Sequence, residues 1–172
     1  VPLLGLFWYA AGNVFVDRAR RNVAVQSLDA AVTRLRAAEC SIWIFPEGTR
    51  NKKDPNRLLP FKKGAFHVAI QSGRPIVPVV ASNQSWLFDP QRGHWRGGKI
   101  IVKALPPIDV TNKTAADVDA LLAQTYSAMQ TTLEQLNAEA KLCNGVSDAL
   151  DAQSSPSSAA AVAAKTPPAA QR

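Results

Sequence analysis

Along this chain, short apolar runs alternate with stretches in which apolar residues recur every three or four positions. That alternation restricts the fold to strands and helices packed in layers. Asn13-Val14-Phe15-Val16-Asp17 reads as a short strand, closed by Arg18-Ala19-Arg20-Arg21. Val25, Leu28, Val32 and Leu35 mark an amphipathic helix over residues 22–39. Residues 40–45, CSIWIF, give a second strand, and the polar residues 51–57 a loop. A helix over 61–72 ends at Gly73, a residue suited to a helix C-terminus. The run over 75–80 carries Pro75 and Pro78, each lacking a donor for a sheet ladder, so it fits an edge or irregular strand. Residues 99–105 form a fourth strand, stopped by Pro106-Pro107. Val118, Leu121, Leu122, Met129, Leu133 and Leu136 line one face of a helix from Thr114 to Leu142, with Asp117 and Asp119 near its positive end. The expected class is α/β, a mixed sheet with flanking helices.

With 172 residues and 47% apolar side chains, the chain can bury one core. That core is assigned to residues 1–143. Residues 144–172 are Ser-, Ala- and Pro-rich and hold too little apolar surface to order, so a disordered tail is expected. The chain begins with Val1, within the apolar stretch VPLLGLFWYAAG and without a basic leader, and reads as cut from something longer. Twelve residues are too few to span a bilayer, which leaves a core segment or an interfacial membrane contact. Cys40 and Cys143 lack metal-ligand spacing; both are expected as reduced thiols, with Cys40 packed at the start of its strand.

The formal charge of +7 is concentrated in the middle: residues 46–103 hold eleven Lys and Arg against three Asp and Glu. Such a field draws phosphate, on nucleic acid, on lipid headgroups or on a small substrate. At its start stands Phe45-Pro46-Glu47-Gly48-Thr49-Arg50, expected at the carboxyl end of a buried strand, where open α/β sheets place ligands. Gly48 lets the backbone approach a ligand, Thr49 offers a hydroxyl, and Arg50 a fork for two phosphate oxygens. Glu47 would repel phosphate unless paired, so it is expected to orient Arg50, Arg18 or Lys63, or to accept from a hydroxyl. Lys62 and Lys63 either extend the phosphate field or solvate a helix start. The bland alternative is a solvated turn.

"FPEGTR", followed by "LLPFKKGAFHVAIQSGRPIVPVV" and preceded by "GNVFVDR", resembles the glycerophospholipid acyltransferases, closest to the 1-acyl-sn-glycerol-3-phosphate acyltransferases of eukaryotic membranes. The likeness runs from Val1 to Leu136. It implies that Arg18, Glu47, Gly48 and Arg50 bind substrate phosphate, with Thr49 beside them. Phe45, Pro46, Ile76, Val77 and Pro78 would shape the pocket. It also implies lysophosphatidic acid and acyl-CoA as substrates, no cofactor or metal, and a membrane location, that of the endoplasmic reticulum. The family's His-x4-Asp block lies upstream of the "GNVFVDR" block. This chain has no such pair: Ser72 stands five residues after His67, and Lys99 five after His94. No catalytic residue is therefore assigned, and the block is expected before Val1.

Weaker patterns compete. Asp89 and His94, near Ser82 and Ser85, suggest a nucleophilic triad, but sit in a Pro- and Gly-bearing loop. His67 fits packing within its helix. Trp86, Phe88 and Trp95, interleaved with Arg92, Arg96 and Lys99, suit base stacking, a membrane interface or a half-buried loop. The opposing readings of the whole chain are a non-catalytic module for anionic lipid or nucleic acid, and a pseudoenzyme. No nucleic-acid motif is present and no protein partner is implied.

Overall fold

The computed structural model of the chain describes Phe7, Ala10, Asn13 and residues 21–37, 40–51, 54–89 and 93–145. They fall into two units. The first takes Val1–Gly48, Phe61–Val77 and Pro107–Ala123; the second Thr49–Pro60, Pro78–Pro106 and Gln124–Arg172.

In the first unit, α1 (Arg21–Ala37) and α2 (Gly64–Ser72) pack together. The helical spacing of Leu28, Val32 and Leu35 puts them on one stripe, and this stripe meets Val68 and Ile44. Gly64 allows the close approach: a Cβ there would stand 3.1 Å from Leu28 Cδ1. Phe61 and Phe66 are buried and stacked, ring centres 6.4 Å apart. The C-terminal ends of the two helices lie side by side and exchange arginines. The Arg36 guanidinium donates to the Gln71 carbonyl, and Arg74 to that of Leu35 at 3.2 Å, so each satisfies a terminal carbonyl that its own helix leaves open. Gly73 ends α2 in the left-handed conformation, φ 69°, as its sequence position predicts.

After α2 the chain makes an isolated bridge, Ile76 to Ile108, through N–H to C=O bonds of 3.0 and 2.7 Å in the two directions. Thr114 and Asp117 then form a capping box: the Thr114 hydroxyl accepts from Ala116 N–H, and the Asp117 carboxylate accepts from the backbone and hydroxyl of Thr114 at 2.8 and 2.9 Å. A 3-10 turn, Ala115–Asp117, leads into α3 (Val118–Asn144).

The second unit pairs β1 (Val79–Ala81) antiparallel with β4 (Val102–Ala104), in the register Val80 opposite Lys103. The pairing continues at one end with Leu105 N–H on the Pro78 carbonyl, and at the other with Ser82 N–H on that of Ile101. Pro75 and Pro78 lie just outside β1, so neither interrupts its ladder. A hairpin, β2 (Phe88–Asp89) with β3 (His94–Trp95), follows; the residues just before it, Trp86 and Leu87, form a core with Ala140. The apolar stripe of α3 runs on as Met129, Leu133, Leu136 and Ala140, all buried.

The α/β class holds, and the ladders among the described residues are antiparallel. Residues 40–45 are not a strand. No ladder partner meets them among the described residues, Trp43 and Phe45 are 66% and 74% exposed, and Cys40 is exposed as well. An apolar run alone cannot show whether a neighbouring strand will take its backbone groups. The strand expected at 13–17 and the tail expected after Asn144 lie outside the described residues, except Asn13 and Gly145. Asn144 itself is held: its side chain accepts from Lys99 N–H at 2.7 Å and donates to the carbonyls of Lys99 and Ala140. Trp86 is buried, which removes it from any stacking surface.

Two stability predictions follow from this packing. A Cβ on Gly98 would overlap Leu87 and stand 2.6 Å from Asn144 Oδ1, and both neighbours are held, one by the core and one by its hydrogen bonds. Gly98→Ala is expected to lower stability by roughly 1–3 kcal/mol in urea unfolding; an unchanged midpoint would show that this packing is loose. The bonds from the Thr114 backbone, then its hydroxyl, hold the Asp117 carboxyl below the ordinary carboxylate value, with Lys113 adding a little. A lowered folded value means that the cap stabilises at neutral pH and that its contribution disappears as pH falls through that value. Asp117→Ala should therefore lower the urea midpoint at pH 7, and the gap to the parent should narrow in acid.

Candidate functional site

The turn that opens the motif is built by its own residues. Pro46 sets the backbone angle its position needs, and Gly48 N–H returns to the Phe45 carbonyl at 3.1 Å. Gly48 has φ 69°, which a side chain would strain. The Pro46 carbonyl accepts the N–H of Lys62 at 2.7 Å, fastening the turn to the residues that lead into α2. Lys62 Cγ lies 3.6 Å from where a Gly48 Cβ would be, so the lysine stem runs along the bare glycine while the residue as a whole stays exposed. In the first unit, the Lys62 stem thus lies against the turn that carries Glu47 and Gly48, both half-buried. Backbone plus ammonium is an anion-binding combination.

Lys63 goes elsewhere. Its ammonium pairs with Asp119 at 2.6 Å, both side chains largely exposed, so the pair contributes little to stability. Lys63, expected either to extend the phosphate field or to solvate a helix start, here reaches the first turn of α3. Ile76 is half-buried in its bridge and Val77 half-exposed. Phe45 sits edge-on to Trp43 at 6.2 Å, and both are exposed. Arg18 lies outside the described residues.

Thr49, Arg50 and Pro78 belong to the second unit. Thr49 and Arg50 are exposed, and Pro78 is buried with its carbonyl in the β1–β4 pairing, a shaping role. The segment following Arg50 is anchored on all sides. The Asn51 side chain donates to the carbonyls of Asp54 and Arg57 at 2.6 and 2.7 Å and accepts from Asp54 N–H. Leu58 is fixed through both backbone groups, its N–H on Gln130 Oε1 at 3.0 Å and its carbonyl on the Tyr126 hydroxyl at 2.9 Å. Asn56 Oδ1 accepts from the side-chain amides of Asn83, at 2.9 Å, and Asn137, at 3.2 Å; Asn137 Oδ1 in turn accepts Asn83 N–H at 2.7 Å. Asn83 and Asn137 are buried.

This asparagine cluster went unread in the sequence. Asn137 stands within the apolar face of α3, beside Leu133, Leu136 and Ala140, and a polar residue on such a stripe is the signal that could have found it. Of the competing triad, Asp89 and His94 are opposite residues of the hairpin, while the buried Ser82 hydroxyl accepts from Ile101 N–H at 3.0 Å, a structural duty. Among the described residues no group of His, Cys, Asp or Glu could hold a metal, and no helix is long and apolar enough to cross a membrane.

Comparisons with known proteins agree with the motif. An acyltransferase family model matches residues 1–82. An uncharacterized acyltransferase of Schizosaccharomyces pombe is 42% identical over 137 residues, covering 80% of this chain and 49% of that protein. A 1-acyl-sn-glycerol-3-phosphate acyltransferase of Saccharomyces cerevisiae is 39% identical over 136 residues, covering 79% of this chain and 45% of its own length. The chain thus spans about half the length of these relatives. Among solved structures, the crystal structure of the 1-acyl-sn-glycerophosphate acyltransferase PlsC from Thermotoga maritima superposes with a TM-score of 0.57 at 27% identity, covering 67% of this chain and 46% of that one. With the turn and its glycine in place, these matches in sequence and in fold make the chain similar to the acyltransferases, and its relatives of named activity, of which it spans about half, are 1-acyl-sn-glycerol-3-phosphate acyltransferases.

Proposed function

We propose that this chain carries the acceptor-phosphate side of a 1-acyl-sn-glycerol-3-phosphate acyltransferase, an enzyme that moves an acyl group from acyl-CoA to the free hydroxyl of lysophosphatidic acid. The observation that carries the reading is the Phe45–Gly48 turn, with Lys62 laid along a glycine held at positive φ and Arg50 two residues further on. The relatives' names support the choice of acceptor. In the reaction the hydroxyl oxygen attacks the thioester carbonyl, its proton passes to a base, the new C–O ester bond forms, and the C–S bond breaks to release the coenzyme thiol. Binding by this chain's residues holds the acceptor phosphate; the base of that family's His-x4-Asp block is not among the 172 residues. Because the acceptor is a lipid, the work takes place at a bilayer, and the resemblance to eukaryotic enzymes favours that of the endoplasmic reticulum. Acyl-CoA is the co-substrate, and the reaction scheme calls for no cofactor.

Two measurements test this. The 172-residue chain alone is expected to transfer no acyl group from acyl-CoA to lysophosphatidic acid; turnover that survives re-purification would refute the assignment of the base elsewhere. The chain should nonetheless bind a short-chain lysophosphatidate below its micelle threshold. Arg50→Ala should weaken that binding about 10- to 150-fold, the equivalent of a charge-assisted bond of roughly 1.5–3 kcal/mol. Arg50→Lys should restore only part, since an ammonium keeps the charge and loses the fork. If Arg50→Ala left lysophosphatidate binding intact and weakened coenzyme A instead, the motif would serve the donor's phosphates.

A further inference from the structure

The β2–β3 hairpin of the second unit presents an aromatic pair that its own core does not use. Phe88 and Trp95 are directly opposite in the hairpin register, with ring centres 5.0 Å apart and planes at 81°. Trp95 is 81% exposed and Phe88 47%. The neighbours of this pair in the chain, Trp86 and Leu87, turn the other way, into the core with Ala140. The hairpin is braced from that side: Arg96 N–H donates to the Leu87 carbonyl at 2.7 Å, Gly98 packs against Leu87, and Lys99 is tied through both backbone groups to Asn144. A braced hairpin that holds two aromatic rings outward loses little side-chain freedom when those rings enter another phase.

The charge around the pair tells which phase. Between Trp86 and Lys103 stand three Lys or Arg and one acid, Asp89. Arg96 and Lys99, like Trp95, are exposed. An indole at the surface with cationic side chains around it fits the headgroup layer of an anionic bilayer, the ring entering the acyl boundary and the cations meeting lipid phosphates. Stacking on nucleic acid needs open ring faces in sequence along a strand. Here Trp86 is buried, and the rings of Phe88 and Trp95 meet each other edge to face, which fits a wedge better than a stacking platform.

We infer that the β2–β3 hairpin, through Phe88, Trp95, Arg96 and Lys99, is a docking surface for an anionic phospholipid bilayer. The choice of bilayer draws on the reading of the chain as part of a lipid acyltransferase, but the surface and its test are separate from the phosphate site. Such a contact would set the second unit against the leaflet in which a lipid acceptor resides.

The test is co-sedimentation of the full chain with phosphatidylcholine vesicles, with and without phosphatidylglycerol. Partition is expected to rise steeply with phosphatidylglycerol. Arg96→Gln with Lys99→Gln should lower that partition roughly 20-fold or more, at about fivefold for each basic residue. Trp95→Ala should lower it about three- to tenfold, the share of one aromatic side chain partly entering the interface. Phe88→Ser offers a second route to the same loss, and thermal melts confirm that each variant is folded. Equal partition onto the two kinds of vesicle would overturn the inference, as would folded Trp95→Ala and Phe88→Ser chains that partition like the parent. Tighter binding to a single-stranded oligonucleotide, lost with Trp95→Ala, would overturn it in favour of nucleic acid. Trp95→Ala should leave short-chain lysophosphatidate binding unchanged. A chain that partitions as described yet binds no lysophosphatidate would refute the acyltransferase reading alone.

Discussion

The bond from Lys62 N–H to the Pro46 carbonyl is the constraint on which the first unit's chemistry depends. At 2.7 Å it is among the shorter backbone bonds outside regular helices and strands, and it joins two stretches sixteen positions apart in the chain. Without it the Phe45–Gly48 turn would lose this tie to the entry of α2. With it, the turn is placed against the entry to α2, and the Lys62 stem covers one side of Gly48. The rest of the unit supports that entry. The Leu28, Val32 and Leu35 stripe holds α2 through Val68, and the exchanged arginines lock the C-terminal ends of the two helices. A binding residue on a loop works only when a rigid element fixes its position. Here α2 is that element.

The second unit solves the same problem with buried polar groups. Asn56, Asn83 and Asn137 satisfy one another's amides and carbonyls, and Leu58 has both backbone groups taken by α3 side chains. Each of these groups, left alone in a buried place, would cost about 1–3 kcal/mol, so a wrong placement of the loop is penalised several times over. An apolar patch under the same loop would stabilise many placements nearly equally. The polar cluster thus gives the segment after Arg50 a defined course rather than simply a stable one. Arg50 itself stays exposed, which leaves its guanidinium open to solvent.

How much of this could be read from residues alone follows the physics of each feature. Helices were legible because their signal is local: the period of Leu28, Val32 and Leu35, the left-handed Gly73 and the acidic start of α3 each act within a few residues. The prolines at 75 and 78 foretold an irregular strand, and β1 begins just after them. The motif was legible as chemistry, since glycine, hydroxyl, carboxylate and guanidinium declare what they can bind. Residues 40–45 misled because strand formation depends on a partner, and the composition of CSIWIF says nothing about whether one is present.

The sequence by itself determined the α/β class, the presence and order of the helices, the family motif and the concentration of positive charge around it, for each is a property of neighbouring residues. Only tertiary structure decided which of two adjacent lysines lies against the motif: Lys62 runs along Gly48 whereas Lys63 pairs with Asp119, 56 positions away. It alone brought Asn56, Asn83 and Asn137 together, and it alone sorted the aromatic residues, burying Trp86 while leaving Phe88 and Trp95 outward. Those outcomes rest on contacts between residues far apart in the chain. A side chain's character limits what such contacts can be, but the path of the folded backbone selects which one forms.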